Sequence, residues 1–184
     1  LIAENMPYEK TIRAMDALEG SGVACIGPNS PGVMIVEECD GKADLLKLGN
    51  MPPRLFKIVG GMSVVGRSGT VIFDIVERAT AKGIGTRLAW AIGGDKYTGL
   101  GFLESLVMLE QDPSTRFIVL DGESGGIQEQ LAARLLATGI VTKPVIALVT
   151  GESLPAGVQC GHQGAGKFAE AVVAAFKKLR AILT

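Results

Sequence analysis

From Met62 onward the chain alternates between short apolar runs and longer stretches with helical periodicity. M-S-V-V from Met62, L-A-W-A-I from Leu88, F-I-V-L from Phe117 and V-I-A-L-V from Val145 each have the length of a buried strand. The first interval, T-V-I-F-D-I-V-E-R-A-T-A-K-G, puts Ile72, Ile75, Val76 and Ala79 on one helical face and Gly83 where it caps the C-terminus. F-L-E-S-L-V-M-L-E-Q-D-P and I-Q-E-Q-L-A-A-R-L-L-A-T-G fill the next two intervals as helices. Strands alternating with helices of this size predict an α/β fold, with right-handed crossovers and a parallel sheet carrying helices on both faces. Before Met62 the pattern is less regular. L-I-A-E-N-M-P reads as the end of a strand entering a loop, Ile12, Met15 and Leu18 recur at helical spacing, and the glycines of Gly20–Gly22 stop that helix. Val23–Ile26 is predicted to be a short buried strand ending in G-P-N-S-P-G, one βα repeat that cannot close a sheet by itself.

Composition narrows the function classes. Hydrophobic residues make up 47% of the 184 residues, yet no apolar run is long enough to span a bilayer, so the excess belongs in strands or at an interface. Lys plus Arg number 18 against 19 for Asp plus Glu, and a net charge of -1 offers no basic field for nucleic acid or an anionic membrane. An anionic ligand must therefore be held by local geometry. Cys25, Cys39 and Cys160 are odd in number and lack C-x-x-C spacing, which argues against a disulfide framework and a zinc site and for a reducing compartment such as the cytosol. The start at Leu1, with no methionine, basic n-region or apolar h-region, is read as that of a fragment without a signal peptide.

The loops that follow the strands carry the candidate chemistry. G-R-S-G-T at Gly66–Thr70, I-G-G-D at Ile92–Asp95, D-G-E-S-G-G at Asp121–Gly126 and T-G-E-S-L-P at Thr150–Pro155 converge on the C-terminal edge of the predicted sheet, where α/β folds bind ligands. Ser68, Gly69 and Thr70 open a helix, whose free N–H groups and dipole suit an anion. His162, the single histidine, follows the last loop in V-Q-C-G-H-Q-G-A-G-K, and its flanking glycines are read as displaying it from a mobile loop. Phosphate handled near an imidazole is the chemistry this set suggests. Plainer readings stand beside it: each glycine as a tight turn, Glu123 as a solvated carboxylate or cap partner, Asp95 and Asp121 as turn or cap residues, Trp90 as core. Cys160, two residues before His162, gives little support to a Cys/His nucleophile because no third orienting group is evident.

Taken in order, G-P-N-S-P-G, G-R-S-G-T, A-I-G-G-D, E-Q-D-P, G-E-S-G-G, T-K-P-V and G-H-Q-G resemble the α subunit of succinyl-CoA synthetase and its relatives, the nucleoside-diphosphate-forming acyl-CoA synthetases and ATP-citrate lyase. The resemblance covers nearly the whole chain. It implies a flavodoxin-like phosphohistidine domain over 56–184, preceded over 1–55 by the C-terminal remnant of a Rossmann-like coenzyme A-binding domain. It also implies that His162 is the phosphorylated residue and Glu123 the carboxylate bonded to its ring. Ser68, Gly69 and Thr70, with Gly93 and Gly94, would hold the phosphoryl group. Ile2, Ala3, Glu4 and Asn29 would touch coenzyme A. ATP or ADP and Mg²⁺ would belong to an ATP-grasp β subunit in a heterodimer or heterotetramer, since neither a P-loop nor an acidic metal cluster occurs here. The location implied is cytoplasmic, or the mitochondrial matrix in a eukaryote.

Departures from the family pattern bear on the substrate. Phe73 stands where succinyl-CoA synthetases carry a substrate-contacting tyrosine, Gly66 replaces a serine and Ser30 a cysteine. A-I-G-G-D-K-Y, V-Q-C-G-H and the length between Asp40 and Gly60 resemble the citrate-using relatives, which favours citrate with succinate a close second. The family's glycine-rich loop for the coenzyme A phosphates has no counterpart here, so the chain alone is expected to bind coenzyme A poorly; the glycine-rich stretch before the last helix is also short, with Lys167 arriving early. The alternatives are a non-catalytic binding or scaffold paralogue, against which the His162 and Glu123 pair speaks, and a receiver-like phosphoprotein, for which Asp95 or Asp121 would be a loose acceptor.

Overall fold

The computed structural model describes residues 1–151, 155, 161 and 162. Cys160, Lys167 and most of the loop around His162 lie outside the described residues. After helix α1 (Tyr8–Leu18) come strands β1 (Gly32–Cys39) and β2 (Lys42–Gly49), a single 3₁₀ turn (Pro53–Leu55) and the repeating unit. That unit runs β3 (Val59–Gly66), α2 (Gly69–Ala81), β4 (Thr86–Ala91), α3 (Phe102–Gln111), β5 (Phe117–Glu123), α4 (Ile127–Ala137) and β6 (Val145–Thr150).

All six strands form one sheet in the order β2-β1-β4-β3-β5-β6. The four apolar runs read from sequence are the parallel strands β4, β3, β5 and β6. Their helices cover both faces. Ile72, Val76 and Ala79 of α2 pack with Met62, Val64 and Val119 on one side, and Phe102, Leu106, Leu109 and Ala132 of α3 and α4 pack with Val65, Ile118 and Leu120 on the other. Alternate residues of β3, β4 and β5 feed opposite cores, as the pleat requires, whereas β6 sends Val145, Ala147 and Val149 into one core and leaves Ile146 and Leu148 exposed. Helix α2 is punctuated as predicted: Ser68 accepts a hydrogen bond from the Val71 N–H (3.4 Å), and Gly83, at φ +75°, closes the helix with N–H bonds from Gly83 to Thr80 and from Ile84 to Ala79.

The stretch before Met62 departs from expectation. Residues 23–26 form no strand and Val23 is exposed; the carbonyls of Cys25 and Gly27 instead accept N–H groups of Leu100 and Gly99, tying this apolar segment to a loop. Leu1–Asn5 is likewise irregular. In their place β1 and β2 form an antiparallel hairpin, and β1 pairs antiparallel with β4. Asp40 (φ +51°) and Gly41 (φ +75°) make its two-residue turn, the conformation that Asp-Gly favours. Residues 32–49 thus continue the same sheet as the strands from 59 onward.

Candidate functional site

The C-terminal ends of β3 and β5 meet at the head of α2. Gly66 pairs with Asp121, and the chain then turns through Arg67 and Ser68 into the helix. A cavity of about 240 Å³ opens here, bordered by Ser68, Gly69, Thr70 and Phe73 of the α2 head, by Arg67, by Ile2, Glu4 and Asn29, and by His162. Of the expected phosphate group, Ser68, Gly69 and Thr70 line the cavity, as do Ile2, Glu4 and Asn29 of the coenzyme A set. Ala3 is a step behind, its carbonyl accepting the Asn29 N–H at 2.8 Å. Gly93 and Gly94 also stand behind the lining: Gly94 donates its N–H to the Asn29 carbonyl (3.1 Å) and abuts the imidazole.

His162 is held rather than displayed, contrary to the reading of its glycines. Its Nδ1 lies 2.5 Å from Glu123 Oε1, and its backbone N–H donates to Glu123 Oε2 at 2.8 Å, so one carboxylate fixes both ring and main chain. The His162 side chain is 31% exposed and that of Glu123 is 4% exposed, which leaves the imidazole at the cavity wall and the carboxylate beneath it. Close approach accounts for Gly161 and for Gly94 opposite it. A Cβ on Gly161, at φ +84°, would stand 2.6 Å from the Glu123 carboxylate, and one on Gly94 would stand 2.1 Å from the His162 ring. Glu123 raises the His162 pKa above its ordinary value, outweighing the opposing effects of burial and of the Arg67 charge.

A second buried carboxylate supports the first. Glu129, on α4, binds Arg67 through two hydrogen bonds, Nε to Oε1 at 2.5 Å and Nη2 to Oε2 at 2.9 Å, with both side chains out of solvent. The same Oε1 accepts the Glu123 N–H at 2.9 Å. Arg67 is thereby locked against the cavity, and the backbone that carries Glu123 is locked with it. Sequence reading missed both residues. Their pairing spans 62 positions, and the only local signal was an arginine directly before the head of α2. Asp95, read as a turn or cap residue, is a cap of sorts: it accepts the Asn5 and Met6 N–H groups. Asp121 is neither turn nor cap but lies buried within β5. Trp90 is core, as expected.

The site joins an imidazole oriented by a carboxylate, a fixed guanidinium and a helix N-terminus around one cavity, an arrangement chemically suited to moving an anionic group onto a ring nitrogen. Among the described residues no three or more His, Cys, Asp and Glu side chains are grouped to hold a metal ion, and no helix is long and apolar enough to cross a membrane.

Known proteins share this arrangement of sequence and fold. The family described as "Succinyl-CoA ligase like flavodoxin domain" matches residues 59–184. The α subunit of succinate–CoA ligase (ADP-forming) from Staphylococcus aureus is 36% identical over 164 residues, 89% of this chain and 51% of that protein. Its counterpart from Methanothermobacter thermautotrophicus is 36% identical over 165 residues, 90% of this chain and 53% of that protein. The chain therefore spans about half the length of the curated relatives it matches. In structure it is similar to the ATP citrate lyase of Methanothrix soehngenii, solved with citrate and coenzyme A, at a TM-score of 0.78 and 27% identity, covering 97% of this chain and 30% of that one. Profile, relatives and fold agree that the chain belongs to the succinyl-CoA ligase flavodoxin-domain family, within the succinyl-CoA synthetase and ATP-citrate lyase superfamily.

Proposed function

We propose that this chain is the phosphohistidine-bearing part of an acyl-CoA ligase, coupling a nucleoside triphosphate to thioester formation between a carboxylic acid and coenzyme A. The observation that carries this reading is the His162–Glu123 pair beside the cavity at the head of α2. With Nδ1–H donated to Glu123, the Nε2 lone pair is free to attack phosphorus. In the thioester-cleaving direction, phosphate attacks the acyl carbon, the C–S bond breaks and coenzyme A leaves as its thiol, giving an acyl phosphate. Nε2 of His162 then takes the phosphoryl group and the carboxylate leaves. Transfer from phosphohistidine to ADP completes the cycle, and thioester synthesis runs the same steps in reverse.

Ser68, Gly69 and Thr70 would hold the phosphoryl oxygens at the helix N-terminus, while Arg67 opposes their charge. Ile2, Glu4 and Asn29 would border the coenzyme A thiol on the other rim, with Ala3 fixing the Asn29 backbone. Gly93 and Gly94 serve by closeness to His162 and the Asn29 loop. The nucleotide and Mg²⁺ belong to an ATP-grasp β subunit in a hetero-oligomer, a reading supported by the subunit designation of the relatives. The full complex given radiolabelled ATP and Mg²⁺ should acquire acid-labile, base-stable phosphate mapping to His162. Base-labile label on an aspartate would assign the protein to the receiver-like class, and label retained by His162→Asn would assign the phosphate to another acceptor.

Citrate is the proposed acid. Phe73 borders the cavity and offers no hydroxyl, so a small dicarboxylate that depends on that donor is disfavoured. The similarity to a citrate-bound ATP citrate lyase supports the same choice. Thioester formation assayed side by side should be faster with citrate than with succinate, malate or acetate; a clear preference for succinate would overturn the assignment.

A further inference from the structure

Asp121 stands at the site, yet the chemistry proposed above makes no use of it. Its side chain is buried, with the residue 1% exposed, and neither carboxyl oxygen has a hydrogen-bond partner among the described residues. It precedes Glu123 by two positions in β5, so the two carboxyl groups leave the strand on the same face. The room it occupies is left by Gly66, its partner in β3: a Cβ there would stand 2.9 Å from Asp121 Cβ and Oδ2 and 3.2 Å from Ile72 Cγ1. The carboxyl group is thus wedged among β3, β5 and the first turn of α2, behind the residues that line the cavity. A buried carboxyl group with no well-formed hydrogen bond, and only the Ser68 N–H nearby, is costly when ionised, and packing alone would be better served by an aliphatic residue.

Three titratable groups act on it, Glu123 on its own strand, Glu129 from α4 and His162 from its loop, and the Arg67 guanidinium next to Gly66 is held by Glu129. Burial raises its pKa to about 7, and Glu123 and Glu129 push the same way against the nearby Ser68 N–H and His162. A dianion at the head of α2 adds a further negative charge on the other side of that turn. Ionised Asp121 would repel it and weaken the field of the helix N-terminus; neutral Asp121 would do neither.

We infer that Asp121 is a proton-linked positioning residue for the anion site: its carboxylate, seated in the space that Gly66 leaves beneath the head of α2, takes a proton from solvent when a dianion occupies Ser68–Thr70 and releases it when the anion departs. One O–H bond forms and later breaks, and nothing else changes. The inference rests on the phosphate-handling reading of the site.

Sulfate is the probe, because its charge is constant near neutral pH whereas that of phosphate is not. Titration calorimetry on the full complex, in buffers of different ionisation enthalpy, counts the protons taken up per sulfate. It is run in a His162→Asn background so that the imidazole contributes none. Near pH 8 this protein should take up a large fraction of one proton per sulfate, and its affinity should fall up to about tenfold per pH unit above the Asp121 pKa. Adding Asp121→Asn, or Asp121→Leu should the amide disturb folding, should abolish both effects. Sulfate binding with the same pH dependence and proton count in all variants would overturn the role of Asp121 while leaving the anion site intact. Failure of sulfate to bind any variant, at any pH, would overturn the anion site and the Asp121 inference together.

Discussion

Glu123→Gln is expected to slow phosphoryl transfer to His162 by roughly 10²–10⁴-fold, the contribution of a positioned acid–base group, without loss of the fold. The carboxylate uses both oxygens, one on Nδ1 and one on the His162 backbone N–H. A glutamine has only one acceptor oxygen, so its amide nitrogen must face either the ring or the main chain. If it faces the ring, Nδ1 becomes the acceptor, the proton moves to Nε2 and the attacking lone pair is lost. The pH dependence shifts as well. Glu123 is the first cause of the raised His162 pKa, and the imidazolium must lose a proton before Nε2 can attack. In the wild type the rate should therefore rise with pH through that elevated pKa, and in Glu123→Gln the inflection should move to lower pH. Rapid-quench phosphorylation of the full complex across pH measures both; an unchanged rate and profile would reduce Glu123 to a packing residue.

Arg67→Ala should cost about 3–5 kcal/mol of folding stability, the usual penalty for stranding one member of a buried ion pair. Glu129 would lose the guanidinium that balances it, in a position fully out of solvent. A paired replacement by apolar residues, Arg67→Met with Glu129→Leu, should recover most of that loss, since burying two charges is itself expensive. Transfer to His162 should not recover, because the guanidinium at the cavity is gone and the Glu123 N–H has lost its acceptor. Denaturant unfolding of the three variants beside phosphorylation rates separates the two roles. A loss below about 1 kcal/mol in Arg67→Ala would show that the pair is weakly coupled to the fold.

The parallel core of the sheet was legible because its inner strands are largely buried on both faces and read as unbroken apolar runs, as Phe117–Leu120 illustrates. Helix α2 was legible from both ends, since Ser68 and Gly83 are cap residues whose roles are local. The hairpin was not. Asp40-Gly41 is a strong turn signal, but β2 is largely exposed and its pattern carries little apolar contrast. Val23–Ile26 misled for the converse reason: it is apolar, yet among the described residues no strand pairs with it. At the site, the His162–Glu123 pair came from family resemblance, whereas Arg67 with Glu129 and the burial of Asp121 depend on contacts between distant segments that no local pattern encodes.

The sheet separates two cores, and the site draws on both. Ser68 and Gly69 ride on α2, packed against one face, while Glu129 rides on α4, packed against the other. Glu129 reaches across to Arg67, the residue just before Ser68, and to the Glu123 backbone, so it acts as a tie rod between layers that share no other polar link at this edge among the described residues. A repacking error beneath α4, for example an enlarged residue at Ala132, would therefore be transmitted to the imidazole on the opposite layer. Alignment of the imidazole in this protein is a property of how thick the three-layer stack is, and tolerance to core substitutions should be lowest where that thickness is set.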